Sequence, residues 1–261
     1  MTGPKPPGET RGVLVTGASR GIGRATALAF ARRGDRVAVH YAHNRADAER
    51  TLAELPGGGH VLVRGDLSDP EAAELVAESA DHGLGGVDVL VNNAATAPTE
   101  DTAHAIAEVS YEHWRRVWRR SVEVNLLGTV DLTHRVVARM VARSVPGRVV
   151  NIGSRGAYRG EPDHPAYGAT KAALHAFGQS IAVSLAPHGI AVASVAPGFI
   201  ATERQEGKLA AETGDALRAQ SRFGRVGTAE EVAAAVLYLA SPEAAWASGA
   251  VLDLNGASHL R

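Results

Sequence analysis

Short apolar runs alternate along this chain with longer segments whose apolar residues recur every three or four positions. Val13-Leu14-Val15, Arg36 to Tyr41, His60 to Val63, Val87 to Val91, Arg148 to Ile152, Ile190 to Val195 and Ala250 to Asp253 read as seven strands. Helical patterns lie between them, over Arg24 to Arg33, Arg45 to Leu55, Pro70 to Asp81, a long stretch from Tyr111 to Arg143, Pro165 to Ala186, and Thr228 to Ala240. The boundaries carry their own signals. Pro56-Gly57-Gly58-Gly59 stops the second helix, Pro70 suits a first helical turn, and Thr228 with Glu231 forms a capping-box pattern. Strands without polar alternation, each followed by a helix, predict a parallel sheet covered on both faces, a doubly wound α/β fold. No change of composition interrupts the rhythm, which predicts a single domain over residues 10–261. Residues 1–9, rich in Pro and Gly, are expected to be a disordered tail. Two regions depart from the rhythm. Residues 94–110 look irregular, and residues 198–227 are polar, with helix-capable residues over 208–219 and no strand. Long segments after strand carboxyl ends are where such a fold builds substrate loops.

Composition narrows the function classes. Of 261 residues 45% are hydrophobic, and 27 Lys+Arg stand against 28 Asp+Glu, so the chain is neither disordered nor a globally basic nucleic-acid binder. With no cysteine, disulfides, thiol catalysis and cysteine-ligated metal are excluded, and no metal site is expected. No apolar run reaches the ~20 residues of a membrane span. The N-terminus lacks the apolar stretch of a signal peptide, which fits a cytoplasmic protein.

The first strand runs into Thr16-Gly17-Ala18-Ser19-Arg20-Gly21-Ile22-Gly23 and then a helix. Glycines here permit a tight turn and let a pyrophosphate approach backbone amides at the helix start. A P-loop is excluded, because no Gly-Lys-Ser/Thr follows. An acidic residue ending the second strand would accept from the ribose hydroxyl of NAD and repel a 2′-phosphate. The strand instead ends His40-Tyr41-Ala42-His43-Asn44-Arg45, so Arg20 and Arg45 are expected to flank the 2′-phosphate of NADPH or NADP+. Asp66 and Leu67 follow the third strand, at the height of an adenine ring or as a helix-start charge. Asn92-Asn93-Ala94-Ala95 follows the fourth, as cofactor contact or as an Asn turn.

Tyr167 and Lys171 lie four apart in a helical segment and so share one face. A cation beside a phenol favours phenolate and lowers its pKa from about 10. Ser154 follows the fifth strand, where its hydroxyl can hold a substrate oxygen.

Taken together, Thr16 to Gly23, Asn92 to Ala95, Asn125 in Val124-Asn125-Leu126-Leu127-Gly128, Ser154, Tyr167/Lys171 and Pro197-Gly198 with Thr202 resemble, in order and spacing, the short-chain dehydrogenase/reductase family. The match runs from about Arg11 to Gly256. The resemblance implies a Rossmann-type sheet and hydride transfer between a nicotinamide and a carbonyl or alcohol carbon. It assigns Tyr167 as the proton donor in reduction, Lys171 as the residue that lowers its pKa and holds the nicotinamide ribose, and Ser154 as the orienter of the carbonyl oxygen. Asn125 is implied in a water-linked proton relay. The cofactor-binding set so implied is Gly17, Ser19, Arg20, Gly21, Ile22, Gly23, Arg45, Asp66, Leu67, Asn93, Ala94, Tyr167, Lys171, Pro197, Gly198, Ile200 and Thr202. The glycine segment looks most like NADPH-dependent 3-oxoacyl-acyl carrier protein reductases. The expectation is an NADPH-dependent reductase of a small-molecule ketone, such as a 3-oxoacyl thioester on an acyl carrier or a polyketide-like ketone. The alternatives are a dehydrogenase of a sugar or other secondary alcohol, and a non-catalytic NADP(H) sensor. Many relatives are tetramers, so a homotetramer or dimer is expected, without nucleic-acid or membrane partners. Ala95 stands where the family pattern has Gly. Trp118 aligns with the family's aromatic before Asn125, leaving Trp114 about one helical turn earlier. Arg115, Arg116, Arg119 and Arg120 form a cationic helix segment, either solvated or facing an acidic carrier.

Overall fold

The computed structural model describes residues 10–211 and 213–261; the N-terminal tail expectation lies outside the described residues. In chain order the elements are β1 (Gly12–Val15), α1 (Gly21–Arg32), β2 (Arg36–Tyr41), α2 (Arg45–Glu54), β3 (Val61–Arg64), α3 (Pro70–Leu84), β4 (Val89–Asn92), α4 (Tyr111–Val122), α5 (Gly128–Ala142), β5 (Arg148–Ile152), α6 (Gly156–Arg159), α7 (Pro165–Leu185), β6 (Ala191–Pro197), β7 (Ile200–Ala201), α8 (Glu206–Ala210), α9 (Thr213–Ala219), β8 (Gly227–Thr228), α10 (Ala229–Leu239) and β9 (Val251–Leu254). Among the described residues seven strands form one sheet in the order β3-β2-β1-β4-β5-β6-β9. Every pairing is parallel. The order reverses between β1 and β4, which opens a crevice beyond their carboxyl ends.

Strand alternation divides the core in two. Val13, Val15, Val37, Val39, Val89, Val91, Val150 and Ile152 turn to one face and pack with Phe30 of α1 and Val232 and Val236 of α10. Leu14, Ala38, Leu90, Val149 and Val192 turn to the other face, against Val76 of α3, Leu132 and Met140 of α5, and Ala182 of α7. Both faces are buried, so the strands need no polar side, and their unbroken apolar runs follow. No described helix is long and apolar enough to cross a membrane.

The predicted caps form. Asp69 caps α3 with Pro70 in its first turn, and Gly85 in the left-handed region ends it after Leu84, past the predicted Asp81. Thr228 accepts from the Glu231 amide while the Glu231 carboxylate accepts from the Thr228 amide. Elsewhere the structure differs from the pattern. Helix α1 starts at Gly21 instead of Arg24, because the glycines carry no periodic signal. The long helix predicted over 111–143 is interrupted by a π turn at Glu123–Leu127. Just after it the chain passes close to the segment after β3: a Cβ on Gly128 would lie 1.8 Å from the Leu67 carbonyl oxygen. The segment expected to lack strands contains β7, which pairs in parallel with β8. Two-residue strands are too short to show a period.

Gly128→Ala is therefore expected to lower the unfolding free energy by about 3 kcal/mol, as overpacking against backbone does. Urea denaturation measures it. Gly207→Ala, with no heavy atom within 4 Å of the new methyl, serves as the neutral control.

Candidate active site

At the β1–β4 divergence the chain is pinned by one hydroxyl. Thr16 Oγ1 donates to the Val91 carbonyl at 3.2 Å and accepts from the amides of Asn93 at 2.8 Å and Ala94 at 2.9 Å. Asn93 answers with its own side chain, whose Nδ2 donates to the carbonyls of Thr16 at 2.8 Å and Gly17 at 3.1 Å. The glycine turn is packed against this lock. A Cβ on Gly23 would lie 2.3 Å from the Gly17 oxygen and 2.5 Å from Asn93 Nδ2. Gly23 thus serves close packing behind the turn. Gly17, Ser19, Arg20, Gly21 and Ile22 line a cavity of about 760 Å³, and Gly23 does not.

The cavity runs from this turn to Tyr167. Asp66, Leu67, Asn93 and Ala94 line it beside the turn. Ser154, Tyr167, Lys171, Pro197, Gly198, Ile200 and Thr202 line the rest. Arg45 does not reach the wall. It is exposed on α2, with its Nε on Glu49 at 2.8 Å, so of the expected pair of guanidiniums only Arg20 lines the cavity here. His43 and Asn44 line the cavity at the end of β2 instead. Asp66 is held by Arg120, whose Nη2 donates to it at 3.0 Å, and by Ser68 at 2.8 Å. Partial burial pushes the Asp66 carboxyl up, but the Ser68 and Arg120 hydrogen bonds prevail and bring it down to about 2.

The reactive end is drier. Lys171 is buried and donates to the Ile152 carbonyl at 2.7 Å. Burial lowers its pKa to about 8. The Tyr167 ring centroid lies 5.8 Å from the Lys171 nitrogen. The sequence reading expected this cation to lower the phenol pKa. The structure corrects it: the Tyr167 pKa is raised, first by desolvation and also by Glu161, against a lowering hydrogen bond with Ser154 and the charge of Arg204. Lys171 spends its ammonium on a backbone oxygen. Ser154 Oγ in turn accepts from the Gly156 amide at 3.0 Å, which fixes its rotamer. A Ser–Tyr pair on one oxygen-sized space, with an ammonium alongside, can orient a carbonyl and pass it a proton.

Asn125 does not line the cavity. It is buried within the π turn, where its Oδ1 accepts from the Thr96 amide at 2.7 Å and its Nδ2 donates to Thr170 Oγ1 at 3.2 Å. It joins the β4 loop to the turn of α7 that holds Lys171.

The chain as a whole is similar to known proteins. A family model described as Enoyl-(Acyl carrier protein) reductase matches residues 17–259. L-rhamnose 1-dehydrogenase (NAD(P)(+)) of Sphingomonas sp. (strain SKA58) is 36% identical over 97% of this chain and 97% of its own length. The chain belongs to the short-chain dehydrogenase/reductase family. The 3-oxoacyl-[acyl-carrier-protein] reductase of Vibrio cholerae is also 36% identical, over 97% of this chain and 98% of that protein. Among solved structures, the promiscuous reductase LugOII, which catalyses keto-reduction at C1 during lugdunomycin biosynthesis, matches with TM-score 0.85 and 35% identity, covering 96% and 98% of the two chains. This short-chain dehydrogenase/reductase is accordingly an NAD(P)-dependent oxidoreductase of carbonyl and alcohol groups.

The cavity fits a dinucleotide on its own geometry. Helix α1 begins at its floor with no side-chain cap on Arg20 and no acidic residue in its first turn, so its amides are available to an anion. Sequence reading missed who else competes for them. Glu203 Oε2 accepts from the Gly21 amide at 3.1 Å, and its other oxygen lies 3.4 Å from Arg24. Arg155 and Arg159, which follow Ser154 and so stand within reach of a substrate, line the cavity as well. Arg120 and Arg204 also line it, and no sequence motif marks them as cavity residues. Of these four arginines only Arg120 is ion-paired among the described residues, with Asp66.

Glu203→Gln is expected to tighten NADP(H) binding several-fold, since it removes an anion from the helix start that a pyrophosphate needs. Fluorescence titration of NADPH measures it; unchanged or weaker binding would refute the competition.

Proposed function

We propose that this enzyme is an NADPH-dependent reductase that converts a polar ketone to its alcohol. One observation carries the reading: Ser154, Tyr167 and Lys171 line one cavity, with the Ser154 and Lys171 side chains buried in its wall. The dinucleotide, when bound, supplies the hydride. Ser154 and the Tyr167 hydroxyl both donate to the substrate carbonyl oxygen. Tyr167 hands over its proton as that oxygen gains negative charge, so hydride plus proton gives the alcohol. Lys171 holds the nicotinamide ribose and favours the return of a proton to Tyr167, with Asn125 supporting the relay from solvent. In oxidation the same phenol runs as the base.

NADPH preference is supported by Arg20 in the cavity wall and by the absence of a carboxylate among Tyr41 to Asn44. The Asp66 carboxylate close by is answered by Arg120. In this reading Gly17 to Ile22 receive the pyrophosphate, Asp66 and Leu67 face the adenine, Asn93 and Ala94 border the ribose, and Pro197, Gly198, Ile200 and Thr202 meet the carboxamide.

Two substrates compete. A 3-oxoacyl thioester or polyketide-like ketone matches the glycine segment, and the exposed Arg115, Arg116 and Arg119 on α4 suit an acidic acyl carrier. A sugar or other hydroxylated alcohol is favoured by the wall beyond Tyr167, where Arg155, Arg159, Glu161, Asp163, Gln205 and Gln220 present hydrogen-bonding groups in place of a greasy slot. A non-catalytic sensor is disfavoured by the complete Ser154–Tyr167–Lys171 set. We place the enzyme in the cytoplasm. We also propose a homotetramer, or a dimer, formed partly through β9, the sheet's edge strand. Leu252 on that strand, Tyr238 on α10 and the fully exposed Trp246 present apolar surface there.

Tyr167→Phe is expected to cut turnover at least ~100-fold while NADPH binding survives. NADPH oxidation is followed with a short 3-oxoacyl thioester and with sugar lactone and ketose panels, with NADH in parallel. The sign of the pH effect follows from the raised phenol pKa. Reduction needs the protonated phenol, so its rate holds through neutrality and falls only above the ordinary tyrosine value of about 10. Oxidation rises with pH over the same range. Equal turnover by Tyr167→Phe would sink the mechanism.

Leu252→Glu with Trp246→Glu is expected to halve the particle mass seen by light scattering without loss of folding. An unchanged mass would remove β9 from the assembly.

A further inference from the structure

We propose that His104, as the neutral Nδ1–H tautomer, caps the catalytic helix α7 from outside and is the positioning residue that sets where the Tyr167 hydroxyl stands. The inference rests on the reading of Tyr167 as the proton donor. Helix α7 begins badly on its own. Its N-cap, His164, makes no side-chain cap, and Pro165 brings no N–H. The first free amide is that of Ala166, one residue before the catalytic phenol. It donates to His104 Nε2 at 3.1 Å. His104 Nδ1 in turn donates to the Thr102 carbonyl at 2.7 Å, and the His104 amide donates to the Asp163 carbonyl at 2.8 Å.

Those partners leave no freedom in the tautomer. A carbonyl can only accept, so Nδ1 carries the proton. An amide can only donate, so Nε2 must be bare. The ring is buried. It meets Trp114 edge-on at 5.5 Å and His164 at 6.2 Å. Neighbouring imidazoles fasten the same segment: His164 Nε2 donates to the Thr99 carbonyl at 3.0 Å and His113 Nε2 to the Ala103 carbonyl at 2.9 Å. Residues 99–104 are thus bolted to both α4 and α7, and His104 is the bolt that touches the catalytic helix itself.

The arrangement fails on protonation. A second ring proton would point at the Ala166 N–H, and the cap would part. Burial holds the His104 pKa below the ordinary value, with the charges of His164 and His113 acting in the same direction. Arg116, bonded to His113, adds positive charge from α4. Glu100 and Asp101 precede it on the same loop, and Asp163, whose carbonyl accepts from the His104 amide, precedes α7. The helix start therefore stays capped at neutral pH and loosens as pH falls through the His104 titration, below about 6.5.

The test compares His104→Leu, His104→Gln and Tyr167→Phe with native protein. The glutamine amide can reproduce one acceptor and one donor without ionising. Amide hydrogen exchange of residues 166–171, which needs no substrate, is read alongside NADPH binding and the kcat and KM of any ketone found in the panel above. His104→Leu is expected to speed exchange at least tenfold, to lower kcat about tenfold with KM and NADPH affinity within threefold, and to be rescued by His104→Gln. In native protein the same amides lose protection on acidification, after correction for intrinsic rates, and in His104→Gln they do not. Native protection in His104→Leu, no rescue by His104→Gln, or pH-independent protection in native protein would overturn the proposal. If His104→Leu does not fold, the glutamine and acidification arms decide. Turnover in Tyr167→Phe would instead refute the proton-donor reading and leave the exchange result to judge the cap alone.

Discussion

The Thr16 hydroxyl is the hinge on which this architecture turns. Parallel strands β1 and β4 are neighbours, but their following segments must part in opposite directions to open a crevice. Parting strands leave amides and carbonyls without ladder partners, and a buried unpaired backbone group costs about 1–3 kcal/mol. Thr16 satisfies the amides of Asn93 and Ala94 and one carbonyl of β4 with a single side-chain oxygen. Asn93 does the reverse service for the glycine turn. The turn can then remain free of side chains where an anion has to come close.

Downstream of that lock, the reactive groups sit in an environment that works against their ionisation. Burial is the first cause that pushes the Tyr167 phenol up, and the one that pushes the Lys171 ammonium down. The shift at Tyr167 favours the protonated phenol, which is the state a proton donor needs. The lattice that tolerates this cost is built from backbone: Ile152 supplies a carbonyl to Lys171, Gly156 an amide to Ser154, and the π turn presents Asn125 to both sides of the site. Charge enters mainly as arginine, from α4, from the segment after Ser154 and from the segment after β7.

How much of this could be read in the sequence follows from the range of each interaction. The sheet and its two-faced core were legible because burial on both sides writes unbroken valine and leucine runs. Caps such as Thr228–Glu231 were legible because both partners lie within one turn. That Ser154, Tyr167 and Lys171 would share one cavity was legible from strand ends and helix spacing together with the family resemblance. What escaped was set by contacts across the fold. Arg45 has the right charge in the right place, yet Glu49 on its own helix claims it. Glu203 reaches the start of α1 from 182 residues away. The lysine that was expected to act on the phenol instead bonds a strand carbonyl. The break between α4 and α5, and the close approach of Leu67 to Gly128 just after it, leave no mark in the helical periodicity.

That break also governs how the chain can change in length. Successive residues of a regular helix advance by about 100°. The wider turn at Glu123–Leu127 absorbs part of that advance and delivers Leu132, Val136 and Met140 of α5 squarely onto the sheet. Adding one further residue there would rotate the whole of α5 by roughly a quarter turn, presenting Asp131, Arg135 and Arg139 to the valines beneath. Substitutions at the outward positions can drift freely, but the residue count between Asn125 and Met140 is locked to the phase of the helix, much as a gear tooth count is locked to its mate.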